Sequence, residues 1–165
     1  MQHEIQQVVN EFRAWPELNG IAKGTEFIRV ESLPAPHRSG MLPTGWQGVY
    51  NFQLGDSWFK SGKAGPNSGA RWLSYHYSPG RAMSRLAGSL LLYAREAADD
   101  PRLPSNLRLP LQGVTLDGIG PWIKANTARH NILIKSTLGN AALSRLEAIA
   151  HAILKPIFEG RRSGH

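Results

Sequence analysis

The stretch GWQGVYNFQLGDSWFKSGKAG (45–65) decides the fold of this chain. Gln47 to Phe52 is rich in aromatic and β-branched residues, Leu54-Gly55-Asp56 carries turn chemistry, and Trp58 to Ser61 resumes the extended pattern. Two short strands around a glycine-bearing turn make a β-hairpin. The glycine-rich segment GKAGPNSGA (62–70) follows, and Asn67 or Ser68 is placed to cap a short helix from about 69 to 76, which Ser78-Pro79-Gly80 breaks.

Outward from the hairpin the chain alternates helices with irregular segments. Residues 2–15 place Ile5, Val8, Val9 and Phe12 at helical spacing, and Pro16 stops them. LPAPHRSGMLPTG (33–45), with three prolines, reads as a loop. Residues 82–97 predict a helix with Met83, Leu86, Leu90 and Tyr93 on one side. The proline-rich stretch 99–121 reads as a loop insertion, 121–126 as a helical turn, His130 to Lys135 as a strand, and 140–155 as a helix ended by Pro156. The expected fold class is α+β: a small central β-sheet, the hairpin plus a third strand, flanked by helices. The division that follows is an N-terminal helix and extension (1–45), a main domain (46–160) and a tail (161–165).

Composition narrows the function classes. With 165 residues, 41% of them hydrophobic, the chain suits one domain with a packed core. No apolar run approaches the ~18 residues of a membrane-spanning helix. The first residues are polar and amphipathic, without a signal peptide's apolar centre, so the expected location is cytoplasmic and no membrane partner is expected. Cysteine is absent, which excludes disulfides, thiolate metal sites and cysteine nucleophiles. Nineteen Lys and Arg against twelve acids give a formal +7, and only six of the nineteen are lysines. An arginine-rich basic domain suits a polyanion such as nucleic acid, because the guanidinium fork matches phosphate.

Four polar residues hold suggestive places. Tyr50 is on the first hairpin strand, Lys60 on the second, and Arg71 opens the short helix after the glycine loop. Glu147 lies at the margin of the apolar face that Leu143, Leu146, Ile149, Ala150 and Ile153 form on the last helix. Each also has a plain reading: a core tyrosine, a solvated lysine, a surface arginine and a partly exposed glutamate. His76, five residues past Arg71, is either a proton carrier or a structural histidine. His130 and His151 lack metal-ligand spacing, and GKAGPNSGA lacks the order of a phosphate-binding P-loop.

The ordered set resembles the GIY-YIG nuclease superfamily. Gly48-Val49-Tyr50 resembles the first tripeptide and Lys60-Ser61-Gly62 the second, with lysine where tyrosine is usual, as in a subset of its restriction endonucleases. Residues 51–59 separate the two, Arg71 matches the helical arginine, and LSRLEAIAHAILKPIFEG (143–160) resembles the final helix with its glutamate. The resemblance spans about 46–160; Glu159 stands where the family often has asparagine.

The resemblance implies a metal-dependent endonuclease that hydrolyses DNA phosphodiester bonds, with a restriction-type role and a homodimer for duplex cutting; the sequence does not separate DNA from RNA. Tyr50 would act as base or orient water, aided by Lys60 and by His76. Arg71 would clamp the phosphate, and Glu147 would hold one Mg²⁺ or Mn²⁺ per site. Lys63, Asn67, Arg81 and Arg85 are the nearby candidates for nucleic-acid contact, and Arg102, Asn106 and Arg108 of the insertion for base edges. Two alternatives stay open: a catalytically silent nucleic-acid-binding module on the same fold, and a nuclease toxin or effector domain.

Overall fold

Alternation along the hairpin sorts its side chains onto two faces, and helices cover both. In the computed structural model, which describes residues 2–18, 26–79, 86–96 and 114–158, β2 (Trp46–Leu54) and β3 (Ser57–Ala64) form the expected hairpin, each longer than the sequence predicts. β4 (Ala128–Lys135) pairs antiparallel with β2, and β1 (Ile28–Leu33) pairs antiparallel with β4. The sheet therefore has four strands in the order β1-β4-β2-β3, not the three expected.

Trp46, Tyr50 and Phe52 of β2 and Leu133 of β4 project to one face. There they pack with Trp72 of α2 (Gly69–Leu73), Leu86 and Leu90 of α3 (Leu86–Glu96), and Ile119 and Ile123 of α4 (Ile119–Asn126). Val49, Ile132 and Ile134 project to the other face, against α1 (Gln2–Arg13) and α5 (Gly139–Leu154). Each fully buried Val, Leu, Ile or Phe contributes about 1.5–3 kcal/mol, so the two layers together supply the main drive to fold.

A β-bulge interrupts the hairpin. Phe52 pairs with Lys60 and Gln53 with Trp58, which leaves Phe59 unpaired on β3. The chain beyond α5 seals this irregularity. Ile157 and Phe158 donate their backbone N–H groups to the carbonyls of Trp58 and Phe59 at 3.0 and 2.8 Å. Gly48 marks a close approach, since a Cβ there would stand 2.7 Å from the Ile132 carbonyl oxygen of β4.

Several expectations change. The N-terminal 45 residues are no separate extension: β1 lies in the central sheet and α1 shares a core with α5. The helix expected over 69–76 stops at Leu73 and passes into turns through Tyr77. The turn at 121–126 is a full helix beginning at Ile119, so the end of the 99–121 stretch is helical rather than loop. The rest of that stretch (99–113), Met83, the Tyr93 side chain, Glu159 and the tail lie outside the described residues. Among the described residues no helix is long and apolar enough to cross a membrane.

Candidate active site

Tyr50 is fully buried on β2, directly opposite Gly62 of β3. Its ring lies across that glycine: a Cβ at residue 62 would come within 2.6 Å of the phenol oxygen. Glycine is thus required at the end of the second tripeptide by steric exclusion. The phenol oxygen projects toward the β3 edge of the sheet.

Two nitrogens meet that oxygen. Arg71 Nε, from α2, donates to it at 3.3 Å, and His76 Nε2 lies 2.6 Å away. The backbone N–H of Leu86 donates to His76 Nδ1 at 3.2 Å, so Nδ1 carries a lone pair and the imidazole proton sits on Nε2. His76 is therefore a donor to Tyr50. The turn that carries it is pinned again where Ala87 N–H donates to the His76 carbonyl at 3.1 Å. With both lone pairs of the phenol engaged, its own proton is the one left to give away.

Opposing influences act on that proton. Burial pushes the Tyr50 phenol above its ordinary value and outweighs the rest; the Arg71 hydrogen bond and charge and the charge of Arg129 pull it down, and the Glu147 carboxylate raises it. Arg71 is held above its ordinary range, chiefly by the bond to Tyr50. Arg71 itself is exposed. Its terminal nitrogens have no protein acceptor among the described residues, which leaves a planar fork open to an anion.

Glu147 arrives from the opposite layer. It sits on α5, and its Oε2 pairs with Lys63 Nζ at 2.9 Å. Lys63 also donates to Ser144 Oγ at 2.9 Å. Lys63 neighbours Gly62 on the edge strand, so the carboxylate and the phenol approach that edge from its two faces, near enough for Glu147 to act on both Tyr50 and Arg71. As a metal site the donor set is one carboxylate. That suits Mg²⁺, which keeps most of its waters, provided the ion displaces the Lys63 ammonium from Oε2. Among the described residues no group of three or more His, Asp or Glu side chains gathers to hold a metal.

The remaining candidates fall elsewhere. Lys60 is buried, and its ammonium donates to the Phe158 carbonyl at 2.9 Å. It ties the segment after α5 to the bulge, and the charges that act on Tyr50 are those of Arg71, Arg129 and Glu147. Lys63 is engaged with Glu147 and Ser144. Asn67 is exposed in the turn before α2, and Ser68 caps that helix without a side-chain bond. Arg81 and Arg85 lie outside the described residues, as do Arg102, Asn106 and Arg108.

Sequence reasoning missed Arg129. This β4 residue is 1% exposed, and its guanidinium lies 4.7 Å from the Trp72 ring centroid, 5.4 Å from that of Tyr50 and 5.6 Å from that of Phe52. It donates to Asn131 Oδ1, Ser39 Oγ, the Trp72 carbonyl and Tyr77 Oη at 2.9, 2.6, 2.9 and 3.2 Å, while its Nη2 has no hydrogen-bond partner among the described residues. The network continues to His37, whose Nδ1 donates to the Thr127 carbonyl at 2.6 Å and whose Nε2 accepts from Tyr77 Oη at 2.8 Å. A strand extended two residues before His130 would have placed this arginine inside a central strand, which is the available signal. A cavity of about 720 Å³ lined by Ser32, Gln53, Asn126 and His130 holds none of the candidate catalytic residues.

Tyr50, Arg71 and His76 thus meet at one oxygen, Glu147 stands near them, and the Lys60 ammonium binds the Phe158 carbonyl. Compared with protein-family models, curated proteins and solved structures, the chain matches none.

Proposed function

We propose that this chain is a metal-dependent endonuclease of the GIY-YIG kind that hydrolyses DNA phosphodiester bonds at Tyr50. The convergence of the Arg71 and His76 donors on the Tyr50 oxygen carries the reading. The two donors favour the ionised phenol that a base for water requires, against the burial that raises it, and the Arg71 fork beside it suits the scissile phosphate. The formal +7 charge favours a polyanion.

In this mechanism the phosphate docks on the terminal nitrogens of Arg71. Tyr50, ionised and held by His76 Nε2–H and Arg71 Nε–H, takes a proton from the attacking water. Glu147 would hold the divalent ion, which when bound supplies charge neutralisation at the leaving 3′ oxygen. Lys63 neutralises Glu147 until an ion displaces it. Lys60, bound to the Phe158 carbonyl, keeps the bulge and the segment after α5 in place.

Incubation with supercoiled plasmid tests the reading. Conversion to nicked and linear forms with Mg²⁺, abolished by chelator and by Glu147→Ala, is the expected result. Full activity of Glu147→Ala would remove the assignment. The full burial of Tyr50 and the pairing of Glu147 with Lys63 favour a second reading, a silent nucleic-acid-binding module. Plasmid binding without cleavage under any divalent ion would select it.

A further inference from the structure

The two edges of the sheet differ. Ile157 and Phe158 cover part of the β3 edge, whereas β1 ends the sheet on the other side. Lys135 N–H donates to the Phe27 carbonyl, so residues 27, 29, 31 and 33 turn their backbone groups toward β4. Ile28, Val30 and Ser32 therefore aim N–H and C=O outward, with no backbone partner among the described residues. Val30 is 40% exposed, a large apolar side chain at the middle of this edge. A shallow groove of about 420 Å³ lined by His3, Ile5, Gln6, Val30 and Ser32 leaves that side open.

We infer that β1 pairs with β1 of a second copy of this chain, antiparallel and centred on Val30. In that register Val30 faces Val30 of the partner as a hydrogen-bonded pair, and Ile28 faces Ser32 on either side, so every outward backbone group is matched. Arg29 then stands opposite Glu31, twice, in the non-hydrogen-bonded positions where side chains come closest. Shifting the register by one pair in either direction puts Arg29 against Arg29 or Glu31 against Glu31. The charges thus select one alignment and disfavour its neighbours. The strand is self-complementary, as a two-fold interface requires. The two copies would form one eight-stranded sheet with the two β3 strands at its outer edges, seven strand spacings or roughly 34 Å apart, and the Tyr50 sites near them. The pairing stands on the sheet edge alone and does not depend on how the Tyr50 site is read.

Sedimentation velocity on the full chain, up to the solubility limit, tests it. A monomer–dimer equilibrium is expected. Arg29→Glu, which sets like charges face to face twice, should weaken it about tenfold or more. The double variant Arg29→Glu/Glu31→Arg should restore it to within a few fold. Because Arg29 also stacks on Trp46 at 4.4 Å, Val30→Lys is the second probe, which leaves that contact in place and should also dissociate the dimer. A wild-type chain that stays monomeric overturns the inference, as does a dimer indifferent to Val30→Lys or one that the charge swap fails to rescue.

Discussion

His76 Nε2 lies 2.6 Å from the Tyr50 hydroxyl, and the Leu86 N–H at Nδ1 fixes His76 as the donor. A histidine placed to take the phenol's proton would need the opposite tautomer. Here it stabilises the ionised phenol instead, and the pH dependence follows. Burial holds the Tyr50 phenol above its ordinary value of 10.0. Cleavage is expected to rise steadily through the alkaline range, with no plateau before the phenol ionises. In His76→Ala the rising limb should move to still higher pH, with at least a tenfold loss of rate near neutrality, about the worth of one hydrogen bond to a charged group. A pH–rate profile of both proteins checks this.

Gly62→Ala should separate the site from the fold. The new methyl would stand 2.6 Å from the phenol oxygen, so the ring must move away from Arg71 and His76. A loss of about 100-fold in cleavage is expected for a displacement near 1 Å. Circular dichroism should remain that of the wild type.

Arg129 braces the tyrosine from beneath. Arg129→Leu would leave the Trp72 carbonyl, the Asn131 amide oxygen, Ser39 and Tyr77 without their donor. A destabilisation of about 2–4 kcal/mol is expected, measured by urea unfolding. Arg129→Lys should recover little of it, because one ammonium cannot replace a fork that reaches four acceptors.

Two histidines set the acid limb of stability. Burial pushes His37 and His130 below the ordinary 6.5, with the Arg129 and Lys124 charges adding to the effect at His37. The unfolded chain then takes up protons first as pH falls. Their contribution is fully present above about pH 6.5 and is lost as pH drops through the folded-state values. The melting temperature should begin to fall below that point, before most carboxylates titrate.

Local pattern carried much of the fold. The hairpin, α1, β4 and α5 were legible because periodicity and turn residues agree there. β1 was not, because Ile28–Leu33 is a short edge strand with charged residues at Arg29 and Glu31, and its partner β4 lies about a hundred residues away. At the site, Tyr50 and Arg71 were singled out only by the family resemblance, since each has a plain reading on its own, and His76 was open between two roles; the three meet at one oxygen. The destination of the Lys60 ammonium was not legible: strand adjacency brings the residue beside Phe52, while its ammonium runs to a carbonyl past the end of α5. Such a destination depends on tertiary packing that no local spacing encodes. The place of Glu147 at the margin of the helix face also fits a partly exposed surface glutamate, so its metal role rested on the resemblance, and its pairing with Lys63 was not legible.

Plasmid cleavage by Tyr50→Phe tests the central claim most directly. The substitution removes one oxygen and keeps the ring against Gly62, Trp72 and Phe52. Wild-type protein with Mg²⁺ should convert supercoiled DNA to nicked and linear forms, and the folded variant should be at least 100-fold slower, as expected when a general base is lost. Undiminished cleavage by Tyr50→Phe would contradict the account.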